Sequence, residues 1–221
     1  MNAKGDFSLN ELAFIHGTDK GSKQIERANL SPKNYAVHYE QRFGYLKNEE
    51  FTLVEIGVNS GASIRMWHEY FHRAQIVGID IRIDSEKLGD IVDSDRIHLV
   101  SGDQGDIRFL SSFKEYLRDG FPPVAVIVDD GCHKRASQAR SFEYLFHRVL
   151  DHGGYYAIED LQADVQKGED LLMGEIVEAI QWRIPNGVID PPVEWIRFYP
   201  RMVMIRKAHL IEQWSNLQET D

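Results

Sequence analysis

Five short apolar runs recur through the middle of the chain, each rich in valine and isoleucine, at residues 51–58, 75–81, 97–102, 124–128 and 154–158. Segments with helical periodicity separate them; after the first run, Ile64, Trp67 and Phe71 have the spacing of one helix face. Continuous apolar runs are typical of buried parallel strands, and strands that alternate with helices form βαβ units. The pattern therefore predicts an α/β fold with a doubly wound, mostly parallel sheet.

Two further segments extend this predicted sheet and its helices. Residues 193–207 form two apolar segments divided by Pro200 and Arg201, which predicts an antiparallel hairpin at one edge. The sheet would then have seven strands. Residues 171–182 have a helical pattern.

The amino-terminal region, residues 1–50, is predicted to form helices and loops that cap the sheet like a lid. A chain of 221 residues can bury one sizeable core but is short for two. We therefore expect a single domain over residues 1–221.

Charge and cysteine content limit the partners and the compartment. The formal net charge of -10 and the pI of about 5.4 provide no basic surface, so we expect neither nucleic acid nor a membrane as a partner. A single cysteine, Cys132, excludes an internal disulfide and favours the reducing cytoplasm. No stretch approaches the ~20 apolar residues of a membrane span, and the start of the chain lacks a secretory signal pattern.

The first predicted strand leads into a helix through a turn that contains Gly57, Ser60 and Gly61. Open α/β sheets bind nucleotides at this position. However, Asn59 stands where a dinucleotide fingerprint has a second close glycine, which argues against a pyrophosphate site. We therefore expect these residues to bind a ligand without phosphate, although the glycines alone could merely form a tight turn.

Polar residues at the ends of the first three strands indicate which ligand this is. Asp80 ends the second strand, where a carboxylate can accept both hydroxyls of a ribose. Glu55 can meet the ammonium of an amino-acid moiety, and Asp103 and Gln104 follow the third strand, where they can bracket an adenine. Together these residues predict S-adenosylmethionine as the cofactor.

Paired acids end the next two strands, Asp129 with Asp130 and Glu159 with Asp160. Neighbouring strands lie about 4.8 Å apart, so these carboxylates should converge within reach of one ion. Oxygen ligands without a nearby cysteine or histidine pair favour Mg²⁺, with Mn²⁺ or Ca²⁺ as alternatives. Successive strand residues face opposite ways, so only one of the first pair needs to be a ligand. We predict that Asp130, Glu159 and Asp160 bind the metal.

His133 lies three residues beyond Asp130. An unactivated hydroxyl holds its proton too tightly to attack a methyl sulfonium, and metal coordination makes that hydroxyl more acidic. Imidazole exchanges protons near neutral pH, which makes His133 the candidate general base. In a purely structural alternative, His133 caps the next helix and the acids form turns and caps.

Taken together, these motifs resemble one family, the metal-dependent sugar O-methyltransferases of macrolide biosynthesis and the related rhamnosyl O-methyltransferases. The matching motifs are Gly-Thr-Asp-Lys at 17–20, Glu-Ile-Gly-Val at 55–58, Met-Trp at 66–67, Gly-Ile-Asp at 78–80, Gly-Asp-Gln at 102–104, Asp-Asp-Gly-Cys-His at 129–133 and Ile-Glu-Asp-Leu at 158–161. The likeness spans about residues 9–207 and is more specific than any single motif. It implies the Rossmann-like fold of class I methyltransferases.

The resemblance also implies residue roles. Asp130, Glu159 and Asp160 would hold Mg²⁺, and His133 would be the base. The residues implied to contact the cofactor or its surroundings are Glu55, Gly57, Ser60, Gly61, Asp80, Asp103, Gln104 and Asp129. Those implied to close the site or contact the substrate are Thr18, Asp19, Lys20, His38 and Tyr39. Cys132 departs from the family's usual serine, and we expect this chain to lack the additional domain that precedes the catalytic one in the macrolide enzyme.

We therefore expect an S-adenosylmethionine- and Mg²⁺-dependent O-methyltransferase. Its expected acceptor is a hydroxyl of a small molecule, a sugar of a glycosylated natural product, and its expected assembly is a homo-oligomer. A phenol or catechol methyltransferase is the alternative enzyme. An NAD-binding dehydrogenase is disfavoured by Asn59, and a nucleotide-binding module without catalysis is the alternative outside enzymes.

Overall fold

The computed structural model describes residues 6–23, 32–89, 94–161 and 193–209. Its helices are α1 (Leu9–His16), α2 (Tyr35–Phe43), α3 (Ala62–Tyr70), α4 (Ser85–Leu88), α5 (Ile107–Gly120) and α6 (Arg135–Arg148). Its strands are β1 (Thr52–Ile56), β2 (Gln75–Asp80), β3 (Ile97–Ser101), β4 (Val124–Asp129), β5 (Tyr155–Ile158), β6 (Val193–Tyr199) and β7 (Met202–Lys207). The helix predicted at 171–182 lies outside the described residues.

The strands form one seven-stranded sheet in the order β3-β2-β1-β4-β5-β7-β6. The first five strands of that order are parallel, and β7 runs antiparallel to both β5 and β6. The edge hairpin turns at Pro200 and Arg201, as predicted, and Arg201 adopts a left-handed φ of 61° there. The chain winds outward from β1 towards β3 and then in the other direction from β4, so the topological switch point lies between β1 and β4.

Helices cover both faces of the sheet because neighbouring residues of each buried strand point to opposite faces. In β1, Leu53 packs into the core beneath α1, α2 and α3, whereas Val54 packs into the core beneath α5 and α6. Both side chains are fully buried, and each such burial contributes roughly 1.5–3 kcal/mol. The sheet is thus doubly wound, and the predicted fold class is confirmed.

The described part of the amino-terminal region packs against α3 and against one face of the sheet. Its residues Thr18 and Asp19 lie at the carboxyl ends of the strands. Helix α1 begins with a capping box, in which the Ser8 hydroxyl accepts from the Glu11 N–H and the Glu11 carboxylate accepts from the Ser8 N–H. It ends at Gly17, whose φ of 78° suits glycine and turns the chain towards the carboxyl edge of the sheet. Among the described residues, no helix is both long and apolar enough to cross a membrane.

Candidate active site

A cavity of about 640 Å³ opens at the carboxyl ends of the parallel strands, next to the switch point. Cavities of this size hold small-molecule ligands. The predicted site residues that line it are Thr18, Asp19, Gly57, Ser60, Asp80, Asp103, Gln104, Asp130, His133 and Asp160. Two sides can be distinguished: a glycine side (residues 57–60, 80 and 102–104) and an acid side (Asp130, His133, Asp160 and the buried Glu159).

The glycine side is held together by the turn after β1. Gly57 has a φ of 94°, and a Cβ there would lie 2.1 Å from the carbonyl oxygen of Asp130, so no other residue fits. Asp80 fastens this turn, because its Oδ2 accepts from the N–H groups of Val58 at 2.9 Å and Asn59 at 3.1 Å. Its Oδ1 has a longer contact, 3.3 Å from the Arg82 N–H. One oxygen of Asp80 thus shapes the turn while the carboxylate lines the cavity.

Gln104 connects the two sides. Its Nε2 donates to both carboxylate oxygens of Asp129 at 3.0 Å, and its Oε1 accepts from the Cys132 N–H at 3.0 Å. Asp129 is fully buried and also accepts from the Ser141 hydroxyl at 2.8 Å. Burial raises the pKa of Asp129 to about 6, against the opposing hydrogen bonds from Ser141 and Gln104. Asp129 lies outside the cavity wall, where its carboxylate holds the Gln104 amide in position. A direct contact between Asp129 and the cofactor stays a prediction.

Glu55 and Gly61 also lie outside the cavity wall. Gly61 caps the start of α3 with a φ of 74°. Glu55 is fully buried, accepts from the Ser63 hydroxyl at 2.8 Å and lies 3.5 Å from the Lys20 ammonium. Burial raises the pKa of Glu55, and the charge of Lys20 opposes that shift. The ammonium that Glu55 faces in the structure is that of Lys20, and its contact with the cofactor stays a prediction.

On the acid side, Asp130, His133 and Asp160 each offer one ligand atom, and these atoms lie within 4.8 Å of one another. The His133 Nε2 is 3.9 Å from Asp130 Oδ1 and 3.9 Å from Asp160 Oδ2. His133 has a φ of 52°, a backbone conformation that is costly for a side chain with a Cβ. The cap of α6 is Lys134, without a side-chain cap bond, so His133 does not serve as a helix cap.

Glu159 lies behind this group rather than on the cavity wall. It is fully buried; its Oε2 accepts from Lys20 Nζ at 2.7 Å and its Oε1 accepts from the Tyr39 hydroxyl at 2.6 Å. Burial and the nearby charge of Asp130 raise the pKa of Glu159. The predicted convergence of acids is therefore present, and the role of Glu159 as a metal ligand stays a prediction.

Asp160 is surrounded by groups that favour its charged form. It accepts from Lys33 Nζ at 2.6 Å and from the Tyr35 hydroxyl at 3.0 Å, and Arg201 lies 3.6 Å away. Burial opposes ionisation, but hydrogen bonds and charge from Lys33 and Tyr35 outweigh it and lower the pKa of Asp160. Lys33 also pairs with Asp19 at 2.9 Å.

The sequence patterns did not predict Lys33, Tyr35 and Arg201 as residues of the site. No local pattern marks them, because Lys33 and Tyr35 lie more than a hundred residues from Asp160 along the chain. Conversely, the predicted His38 lies away from the cavity, where it stacks on Tyr199 with ring centroids 4.1 Å apart. The acid side therefore depends on tertiary contacts that sequence patterns do not report.

The acid side fits a hard divalent cation. Its donors are two carboxylates on the cavity wall with an imidazole beside them and a third carboxylate buried behind. Carboxylate oxygens are the ligands that Mg²⁺ and Ca²⁺ prefer. In the described structure, the side chains of Asp130 and Asp160 do not stabilise a turn or cap a helix. Asp130 accepts from Lys20, and Asp160 accepts from Lys33 and Tyr35.

The chain is similar in sequence to two methyltransferases. The chain is 35% identical over 158 residues to 8-demethyl-8-alpha-L-rhamnosyl tetracenomycin-C 2'-O-methyltransferase of Streptomyces olivaceus, covering 68% of this chain and 37% of that protein. It is 32% identical over 239 residues to mycinamicin VI 2''-O-methyltransferase of Micromonospora griseorubida, covering 89% of this chain and 57% of that protein. The chain thus spans between about one third and just over one half of the length of these relatives. No family model matches it.

Solved structures share its fold. The MycE methyltransferase of mycinamycin biosynthesis, in complex with Mg, SAH and mycinamycin VI, superposes with a TM-score of 0.71 at 29% identity, covering 92% of this chain and 55% of that chain. The fibrillarin pre-rRNA processing protein of Methanococcus jannaschii superposes with a TM-score of 0.51 at 16% identity, covering 74% of this chain and 68% of that one. The second likeness concerns the fold alone, which is that of class I methyltransferases.

Proposed function

The chain is a homologue of the sugar O-methyltransferases named above, and on that premise we propose that it methylates a sugar hydroxyl of a glycosylated small molecule, using S-adenosylmethionine and Mg²⁺. The observation that carries the proposal is the cavity itself. A glycine turn with Asp80 lines one side, and Asp130, His133 and Asp160 line the other. Cofactor and acceptor can therefore meet in one space.

On the glycine side, S-adenosylmethionine would lie against the turn at Gly57, Ser60 and Gly61. Asp80 Oδ1 is the oxygen that the turn leaves most free, and it would accept the ribose hydroxyls. Asp103 and Gln104 line the same side and would contact the adenine. This arrangement is supported by the absence of a side chain at Gly57, which lets a ligand approach the backbone closely.

On the acid side, Asp130 and Asp160 with Glu159 would hold Mg²⁺, and Mn²⁺ or Ca²⁺ could replace it. A divalent ion bound there would make the acceptor hydroxyl more acidic. Lys33 and Tyr35 keep Asp160 in the charged form that a metal requires. Thr18 and Asp19 line the cavity from the amino-terminal region and would help to close it over the ligands.

His133 would accept the hydroxyl proton on Nε2. The two carboxylates that lie 3.9 Å from this nitrogen would stabilise the imidazolium that results. The acceptor oxygen then forms a bond to the methyl carbon while the bond from that carbon to sulfur breaks, which leaves S-adenosylhomocysteine. The left-handed backbone of His133 supports this role, because strain of this kind is concentrated at functional sites.

The proposal is tested by incubating the protein with S-adenosylmethionine, Mg²⁺ and a panel of glycosides and small phenols, read by mass spectrometry. The expected result is a gain of one methyl group on a glycoside, and its loss when a chelator is added. Methylation of phenols alone would favour the alternative enzyme. Tight cofactor binding without methyl transfer to any acceptor would instead favour a binding module.

We propose in addition a homo-oligomeric assembly in the cytoplasm. The assembly is supported by family likeness and by two exposed apolar side chains on α1, Phe14 at 50% and Ile15 at 53% exposure. The single cysteine supports the compartment, and the net charge of -10 argues against nucleic acid as a partner. Light scattering that gives the mass of a monomer at micromolar concentration would remove the claim about assembly.

A further inference from the structure

Lys20 places a buried ammonium among three carboxylates. The side chain is 1% exposed, and its Nζ lies 2.6 Å from Asp130 Oδ2, 2.7 Å from Glu159 Oε2 and 3.5 Å from Glu55 Oε1. Two of these acids are proposed metal ligands, and none of the three is more than about one-fifth exposed. The acid side therefore already contains one cation of its own.

This cation is held in place by the backbone. The carbonyl of Lys20 accepts from the Ala36 N–H at 2.8 Å, the carbonyl of Asp19 accepts from the Lys33 N–H at 2.9 Å, and Gly21 accepts from Asn34 at 3.0 Å. Three consecutive residues are thus bonded to the start of α2. The ammonium itself donates to Asp130 at 2.6 Å and to Glu159 at 2.7 Å, and Glu55 lies 3.5 Å away. The ammonium is a fixed positive charge.

A divalent ion on the same acids would lie close to this charge. Asp130 turns Oδ2 inward to Lys20 and Oδ1 outward towards His133, so one carboxylate would have the ammonium on one oxygen and the metal on the other. Like charges a few ångströms apart repel strongly where water is largely excluded. Conversely, three clustered carboxylates without any cation would destabilise the folded protein.

We propose that Lys20 is a built-in counter-cation of the metal site. It keeps the metal-free acid cluster folded, and it weakens the binding of the divalent ion so that the ion stays exchangeable. This role rests on the proposed function, in which Asp130 and Glu159 are metal ligands. Lys20 is thus a positioning residue that acts on the metal through the carboxylates it shares with it.

The test is Lys20→Met, measured on the full chain by thermal unfolding with chelator and with Mg²⁺, and by calorimetric Mg²⁺ titration without cofactor or acceptor. The variant should melt earlier than the parent in chelator. Its stabilisation by Mg²⁺ should exceed that of the parent, and its dissociation constant for Mg²⁺ should fall by about tenfold or more, because the repulsion is gone.

Lys47→Met is the matched control, because Lys47 pairs with Asp6 and lies over the Tyr70 ring, away from the acid cluster. Its Mg²⁺ response should equal that of the parent. If Lys20→Met does not fold, Lys20→Met with Glu55→Gln removes one uncompensated acid while keeping Asp130 and Glu159. This double variant is compared with Glu55→Gln alone, and we expect it to bind Mg²⁺ about tenfold or more tightly than that single variant.

An equal or weaker Mg²⁺ response in the variant without Lys20 would overturn this role while leaving the metal site intact. No Mg²⁺ response in either the parent or the Lys20→Met variant would refute both the metal site of the proposed function and the role of Lys20. The two failures are therefore distinguishable in one experiment.

Discussion

The two sides of the cavity are built by different means. The glycine side is local: Asp80 accepts from backbone N–H groups of the turn at Val58 and Asn59, 22 and 21 residues earlier in the chain. The acid side is long-range: Lys20 bonds Asp130 and Glu159 across 110 and 139 residues. One side is thus shaped chiefly by backbone and the other by opposed charges.

Substitutions on the two sides of the cavity should therefore differ in their effects. A backbone-built turn keeps its shape when one side chain is altered, provided that the glycine at its centre stays. Buried charges are balanced against one another, and removal of one partner leaves the others uncompensated. We therefore expect substitutions on the acid side to have larger and less separable effects than those on the glycine side.

The largest effect is expected for Asp130→Asn. The amide keeps the shape but removes the charge that faces both Lys20 and the proposed metal, so turnover should become undetectable, with partial rescue at high Mg²⁺. Initial rates over a range of Mg²⁺ measure this. Affinity for S-adenosylmethionine, measured by calorimetry, should stay near that of the parent. If cofactor affinity falls along with metal affinity, the two sides are not independent.

The next largest effect is expected for His133→Asn. Asparagine tolerates the left-handed backbone at this position, so the substitution removes the imidazole without adding strain. Turnover should fall by ~10²–10⁴, the usual contribution of a general base, while metal and cofactor affinities stay nearly unchanged. Near-normal turnover would mean that another group accepts the proton.

A smaller effect is expected for Asp80→Asn on the glycine side. The remaining amide oxygen can still accept from the turn, but the charge-assisted bonds to the ribose hydroxyls are lost, so cofactor affinity should fall about 10- to 100-fold. Calorimetry measures the cofactor, and a parallel Mg²⁺ titration should match the parent. An unchanged cofactor affinity would remove Asp80 from the binding site.

The smallest effect is expected for Cys132→Ser, at the junction of the two sides. Its position is fixed by the backbone N–H bond to Gln104, and its side chain is exposed. Exposed substitutions of this kind change the free energy of unfolding by about 0.5 kcal/mol or less. Because the backbone bond to Gln104 is kept as well, turnover should stay within about threefold of the parent. A larger loss in rate assays would show that the thiol itself is needed at this junction.

Much of the fold was predictable from local patterns. The five apolar runs predicted β1 to β5 to within two residues at each end, and Pro200 with Arg201 predicted the hairpin. The pairing of β4 with β5 brought the two acid pairs together as expected from neighbouring strands. Strand alternation predicted that only one of Asp129 and Asp130 would be a ligand, and in the structure Asp130 lines the cavity wall while Asp129 is buried. In the second pair, Asp160 lines the wall and Glu159 is buried behind it. Both follow the end of β5 at Ile158, and Asp160 has a left-handed φ of 52°, so strand alternation does not apply to them.

Local sequence patterns predicted the succession of strands along the chain, the glycine turn and the clustering of acids at one sheet edge, because burial periodicity and strand ends are local properties. Which cations balance those acids depends on how the folded chain packs. Lys20 and Lys33 reach the acid side because residues 19–21 bond to residues 33–36 and the helices of this region pack against α3. Ion pairs between segments more than a hundred residues apart depend on that packing, and no short-range pattern in the sequence records it.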